Sequence, residues 1–182
     1  MAAKNIVVAI AGASGSAFAK RALLHLFSRD VSVHLIISGT GREIYKYEVE
    51  ESIEDTIKAG KNVITYDNDD LFAPIADDCL NISGMIILLC SISTASKIAW
   101  GIEDTLINKT AAYCIKEKIP MVMSPRESPI SCTVLDNLLI LKESGVFIMP
   151  PVPSLYDESK DFNEVLDDMV GKMLGKIGLD YT

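Results

Sequence analysis

Ile6-Val7-Val8-Ala9-Ile10-Ala11 is an unbroken apolar run rich in β-branched residues, the pattern of a parallel strand buried on both faces. Gly12-Ala13-Ser14-Gly15-Ser16 breaks the run, and Ala17-Phe18-Ala19-Lys20-Arg21 opens a helix. A second strand covers Val31 to Ser38, and Gly39-Thr40-Gly41 starts a helical segment through Tyr45 and Glu48. Ser52-Ile53-Glu54-Asp55 reads as the capped start of a short helix ending near Gly60, followed by a short strand, Val63 to Tyr66. Leu71 to Ile82 lacks a period and reads as a loop over the sheet edge. Gly84 to Leu89 is the next buried strand, and Cys90-Ser91-Ile92-Ser93-Thr94 a hydroxyl-rich turn before a helix. A helix from Thr105 to Lys118, a strand from Pro120 to Ser124, a helix through Leu135 and Lys142, and a strand from Val146 to Met149 complete the alternation. Phe162, Val165, Leu166, Met169, Val170, Met173 and Ile177 form the helical stripe of a closing helix.

Strands alternating with helices predict an α/β fold, a mostly parallel sheet with helices on both faces, in one domain spanning residues 1–182. Ligands of such sheets bind beyond the carboxyl ends of the strands, where the strand order reverses. Every hydroxyl-rich or charged loop follows a strand: Gly12–Ser16, Ser38–Gly41, Ser91–Thr94, Arg126–Glu127 and Pro153–Tyr156. These five are expected to gather on one rim. The first of them leads into a helix whose unpaired N–H groups offer a seat for an anion such as phosphate, although a tight strand-to-helix connection has the same pattern.

Composition narrows the chemistry. A net charge of −8 with no Lys/Arg block argues against a nucleic-acid surface, and requires any anionic substrate to be held by a few local cations. No apolar run reaches the length of a membrane span and no signal pattern is evident. Cys79, Cys90, Cys114 and Cys132 form no C-x-x-C pair, so reduced, mostly buried thiols and a cytoplasmic location are expected. With only His25 and His34 to join them, both read as structural, no metal site is expected.

Several nucleotide motifs are excluded. The dinucleotide fingerprint lacks its first glycine and its acid after the second strand, and no Gly-Lys-Ser/Thr follows the first turn. A hydrolase elbow would need glycine at Ser16, and no histidine follows His34 to complete a Ser–Asp–His order. What remains is a mononucleotide-sized site of small and hydroxyl residues, suited to a flavin phosphate.

Four segments then occur in order: Gly12-Ala13-Ser14-Gly15, Cys90-Ser91-Ile92-Ser93-Thr94, Pro125-Arg126-Glu127-Ser128-Pro129 and Pro150-Pro151-Val152-Pro153-Ser154-Leu155-Tyr156. Together they resemble the flavin prenyltransferases, the UbiX-like family, from Ile6 to about Gly178. The resemblance implies a three-layer αβα, Rossmann-like flavoprotein that attaches a dimethylallyl unit from dimethylallyl phosphate to N5 and C6 of reduced FMN. The prenylated product would serve a partner UbiD-like decarboxylase. It also implies a homo-oligomer, a dodecamer with active sites between subunits, and no metal. A non-prenylating FMN-binding or electron-carrying protein is the alternative, and an FMN-dependent cysteine-type decarboxylase a more distant one.

By that resemblance Gly12, Ala13, Ser14, Ser38, Ser91, Ile92, Ser93, Thr94 and Arg126 would bind FMN. Hydroxyls, main-chain N–H groups and a planar guanidinium are suitable partners for phosphate and ring edges, and Ser91–Thr94 would also suit helix capping. Tyr156, Lys172, Lys116 and Lys109 match the contacts to the dimethylallyl phosphate. Glu127, Glu48, Lys116 and Ser14 match catalytic positions: removal of the C6 proton calls for a carboxylate beside the ring, and departure of phosphate calls for cations. Trp100 would flank the ligand or fill the core. The chain departs from the family at Ala76-Asp77-Asp78-Cys79, usually Ser-rich, at Lys109, usually Arg, and at Leu89, commonly Pro.

Overall fold

The computed structural model describes residues 3–76, 80–152 and 161–179. Its six strands are β1 (Lys4–Ile10), β2 (Val31–Ile37), β3 (Val63–Asp67), β4 (Ile82–Cys90), β5 (Met121–Pro125) and β6 (Phe147–Ile148). All pairs are parallel and the order is β3-β2-β1-β4-β5-β6. The chain therefore winds outward in one direction from β1 to β3, then returns to the other side of β1 with β4. The crevice between β1 and β4 is the switch point that the alternating pattern predicts.

The seven helices are α1 (Ser16–Phe27), α2 (Gly39–Val49), α3 (Ile53–Ile57), α4 (Ile92–Ala99), α5 (Leu106–Lys116), α6 (Cys132–Glu143) and α7 (Phe162–Lys176). Alternation along β1 divides the core. Ile6, Val8 and Ile10 pack with α1, α2, α3 and α7, while Val7, Ala9 and Ala11 pack with α4, α5 and α6. Because both faces of β1 are covered, Ile6 through Ile10 are almost wholly buried. That is why they read as a continuous apolar run.

Local chemistry starts most helices. Ser38, Ser52, Ser91, Thr105 and Ser131 each accept a hydrogen bond from the main-chain N–H three residues on, and Asp161 forms a capping box with Glu164. The hydroxyl-rich segment after β4 is thus not a free turn. Helix α4 begins at Ile92, so Ser93 and Thr94 lie in its first turn and Ser91 is the cap. The Leu71–Ile82 stretch is shorter than its lack of period predicts, because Pro74–Ala76 forms a 3-10 turn and Ile82 already belongs to β4. Among the described cysteines Cys90 and Cys114 are buried thiols, whereas Cys132 is exposed at the first position of α6. No helix among the described residues is long and apolar enough to cross a membrane.

Gly84 shows how closely the helices approach the sheet. A Cβ at this position would stand 2.8 Å from the Ile177 Cβ just beyond α7, a backbone-proximal atom that cannot swing away. Gly84→Val is expected to cost about 1–3 kcal/mol by overpacking, read as a lower urea midpoint with an unchanged slope.

Candidate active site

Four of the five loops expected on one rim fall within the described residues, and all four follow the carboxyl ends of their strands. Main-chain hydrogen bonds join three of them around the end of β4. The Ala13 N–H donates to the Leu89 carbonyl (3.0 Å), and the Arg126 N–H donates to the Cys90 carbonyl (3.3 Å). On the other side the Ser38 N–H donates to the Ile10 carbonyl (3.1 Å), which brings the start of α2 beside the first loop. The fifth loop, Pro153–Tyr156, lies outside the described residues, and with it Tyr156; Asp77, Asp78 and Cys79 lie outside them too.

The conformations of this rim explain its small residues. Gly12 has φ 93 and Gly15 φ 122, both in the range where a side chain is strained. A Cβ on Gly12 would meet the Gly41 N–H at 3.1 Å, and one on Gly15 would meet the Leu89 Cδ2 at 2.8 Å. Leu89 itself has φ 52, a left-handed conformation rare for a branched side chain. The proline common at this place in the resembling family is held near φ −65° and could not adopt it.

The anion seat at the start of α1 is filled from within the chain. Gly15 supplies no side-chain cap. Instead the Glu48 carboxylate, from the last turn of α2, accepts from the Gly15 N–H at 2.8 Å and the Ser16 N–H at 2.7 Å. A negative group at a helix N-terminus satisfies both the unpaired donors and the dipole. In this structure Glu48 therefore occupies the donors that the sequence offers to an anion. Burial opposes the charged form of Glu48, but donation from the Ser14 hydroxyl and the Ser16 and Gly15 N–H groups outweighs it and brings the pKa down to about 2. The starts of α2, where Gly39 borders open space, and of α4 are further helix N-termini on the rim. Their hydroxyl caps and first-turn N–H groups are of the chemical kind that suits a phosphate ester.

Beside the rim, α1 and α7 enclose a cleft of about 540 Å³, a size that takes a small organic ligand. Ser14, Gly15 and Arg126 line one side, while Phe18, Leu89, Pro151, Val165 and Met169 give it apolar walls. Its two helices are fixed by Asp167, which accepts from Arg21 Nε (2.8 Å) and pairs with His25 Nε2 (2.7 Å). Part of the stripe on α7 thus faces an open cleft: Phe162 lines it yet is 68% exposed. Periodicity alone does not separate a core face from a cleft wall, so the sequence carries no signal that marks Phe18, Leu89 and Met169 as cleft residues.

The charged candidates are distributed unevenly. Arg126 is exposed at the cleft, and neighbouring Glu127 is exposed, accepting from the Ser128 N–H at 3.1 Å. Lys172 lines a smaller cavity next to the cleft. Lys109 lies on α5 in the opposite helical layer, with its ammonium donating to the Leu71 carbonyl at 3.2 Å. Lys116 is not brought to the cleft of its own chain. It ends α5, which runs about 15 Å back from the rim, and it is 79% exposed beside Glu117. Its neighbours Ile115 and Lys118 line a different cavity of about 470 Å³ at the amino ends of β5 and β6. Trp100 lies neither in the core nor in the cleft: it is exposed at the C-cap of α4, and its Nε1–H donates to Asn137 of α6. His25 is held by Asp167, and His34 stacks on Tyr66 with Nδ1 2.9 Å from the hydroxyl.

Because Glu48 ionises more readily in the folded chain, its stabilisation is fully present above its ordinary pKa of 4.5 and is lost as the pH falls towards about 2. The stability difference between the unaltered protein and Glu48→Gln should be flat above 4.5 and shrink below it, measured by urea denaturation across pH.

Comparison with known proteins agrees with this fold. The Flavoprotein family profile matches residues 1–177. Flavin prenyltransferase UbiX of Thermoplasma acidophilum is 37% identical over 175 residues, covering 96% of this chain and 95% of that protein. The structure of AnUbiX (PadA1) in complex with FMN and dimethylallyl pyrophosphate superposes with a TM-score of 0.92 at 32% identity, covering 98% of this chain and 94% of that one. A dodecameric FMN-dependent UbiX-like decarboxylase from Escherichia coli O157:H7 gives 0.91 at 28%, covering 97% and 96%. With nearly full-length identity above the level at which a shared fold alone would be inferred, the chain belongs to the UbiX-like flavin prenyltransferases, a family of FMN-binding flavoproteins.

Proposed function

We propose that this protein joins a dimethylallyl group from dimethylallyl phosphate to N5 and C6 of reduced FMN, and that a UbiD-like decarboxylase receives the product. The observation that carries this reading is the apolar cleft of about 540 Å³ opening between Ser14 and Arg126 on one side and α7 on the other. An isoprenoid needs apolar walls, and its phosphate needs cations at one end only. A relative with this fold is known in complex with FMN and dimethylallyl pyrophosphate.

When bound, reduced FMN supplies the nucleophilic ring positions. Gly12, Ala13, Ser38 and Ser91 to Thr94 contribute small side chains, hydroxyls and main-chain N–H groups to its phosphate and ring edges, and Arg126 contributes a fixed positive charge. Glu127, exposed beside Arg126, takes the ring proton. Ser14, beside the ionised Glu48, faces the cleft. Lys172 and Tyr156 hold the donor phosphate, and the cations stabilise it as the allylic C–O bond breaks.

Lys116 and Lys109 fill their phosphate-side role from a neighbouring copy, since within one chain they belong to the other layer. The chain then works as a homo-oligomer, a dodecamer by relation to its E. coli counterpart. Trp100 at the C-cap of α4 and Leu135 and Leu139 on α6, exposed by 69%, 53% and 57%, supply an apolar face for such contacts.

Anaerobic incubation with reduced FMN and dimethylallyl phosphate, and separately with the pyrophosphate, should yield flavin heavier by one isoprene unit on mass spectrometry. Unmodified flavin from both donors would favour the flavin-carrier reading. Leu135→Asp with Leu139→Asp should lower the particle mass in light scattering and reduce turnover, because separated copies lose their neighbour's cations.

A further inference from the structure

Lys172 lines a cavity of about 70 Å³ whose other walls are apolar, among them Met149, Pro150 and Met173. Phe18 and Met169 line both this cavity and the large cleft, so the two are neighbours divided by a pair of side chains. Lys172 is the only charged side chain lining the small cavity among the described residues. Its ammonium is held: Asp168, one helical turn earlier on α7, accepts from Nζ at 2.8 Å. Two consecutive acids on α7 thus have different work. Asp167 ties α7 to Arg21 and His25 of α1, whereas Asp168 holds the cation beside the small cavity.

We propose that Asp168 is a positioning residue that competes with the donor's phosphate for the Lys172 ammonium, and so sets donor affinity and favours a dianionic leaving group. This rests on the reading that Lys172 holds that phosphate. The pair is a half-exposed i,i+4 bridge, with side chains 57% and 34% exposed. Such a bridge shifts an equilibrium by no more than about fivefold. A phosphate monoester carrying about −1.5 to −2 charges at neutral pH displaces a single carboxylate, whereas a monoanionic group has no such advantage. After the C–O bond breaks, the displaced carboxylate stands near the free phosphate, and repulsion between them favours its release.

The test uses the full chain with reduced FMN and dimethylallyl phosphate. Asp168→Asn is expected to lower the donor KM about two- to fivefold, with the change falling on KM and not on kcat. Inhibition by added inorganic phosphate should strengthen by a similar factor. A purely structural bridge would move the melting temperature and leave both quantities alone. Lys172→Ala should raise the donor KM at least about tenfold, and adding Asp168→Asn to it should then have no further effect on KM. If Lys172→Ala leaves KM unchanged, the assignment of Lys172 to the phosphate fails. If Lys172→Ala raises KM while Asp168→Asn leaves it unchanged or raises it, the competition proposed for Asp168 is overturned and the phosphate assignment stands.

Discussion

From Ile6 to Ile10, strand β1 has no solvent-exposed edge or face on which to leave a polar group unpaired. It must pair on both sides, with β2 and with β4, in registers that run from Lys4 and Asn5 to Ile10. A buried backbone group without a partner is costly, so this double pairing fixes where the chain leaves the sheet after β1 and β4. The loops that follow are then adjacent by construction. The Ala13 to Leu89 and Arg126 to Cys90 hydrogen bonds extend the pairing beyond the sheet into the site itself.

The same constraint accounts for the strain at the rim. To direct its carbonyl to Ala13 and still continue into Cys90, Leu89 adopts φ 52. Gly15 has no side chain where the Leu89 methyl group lies. Such strain persists only where surrounding packing over-determines it, and here it sits on the wall of the cleft. With a cleft wall made from main chain and apolar side chains, charge at the cleft falls to a few groups. That suits a protein of net charge −8, whose average field repels anions.

Acids carry much of the arrangement of those groups. Glu48 takes the α1 N-terminus, Asp167 fixes α7 against α1, and Asp168 holds Lys172. The cationic side chains near the cleft are thereby separated into held and open ones: Arg21 is locked at the helix interface, Lys172 is tethered, and Arg126 stands at the opening. A flavin prenyltransferase needs such a division, since one face of its ligand is aromatic and apolar while the leaving group is a concentrated charge.

Much of this was legible along the chain. Apolar runs located the buried strands, hydroxyl residues before apolar periods located the helix starts, and motif order around Gly12, Ser91, Arg126 and Pro151 identified the family. These signals are local, depending on neighbours a few residues apart. The sequence by itself determined the parallel α/β architecture and the rim on which the loops meet. Only the tertiary structure decided that Glu48, 33 residues from Gly15, caps α1, that Phe18 and Met169 are cleft walls, and that Lys116 does not line the cleft of its own chain. Those facts depend on how separate helices pack across the sheet, and no periodicity within one helix encodes what stands opposite it.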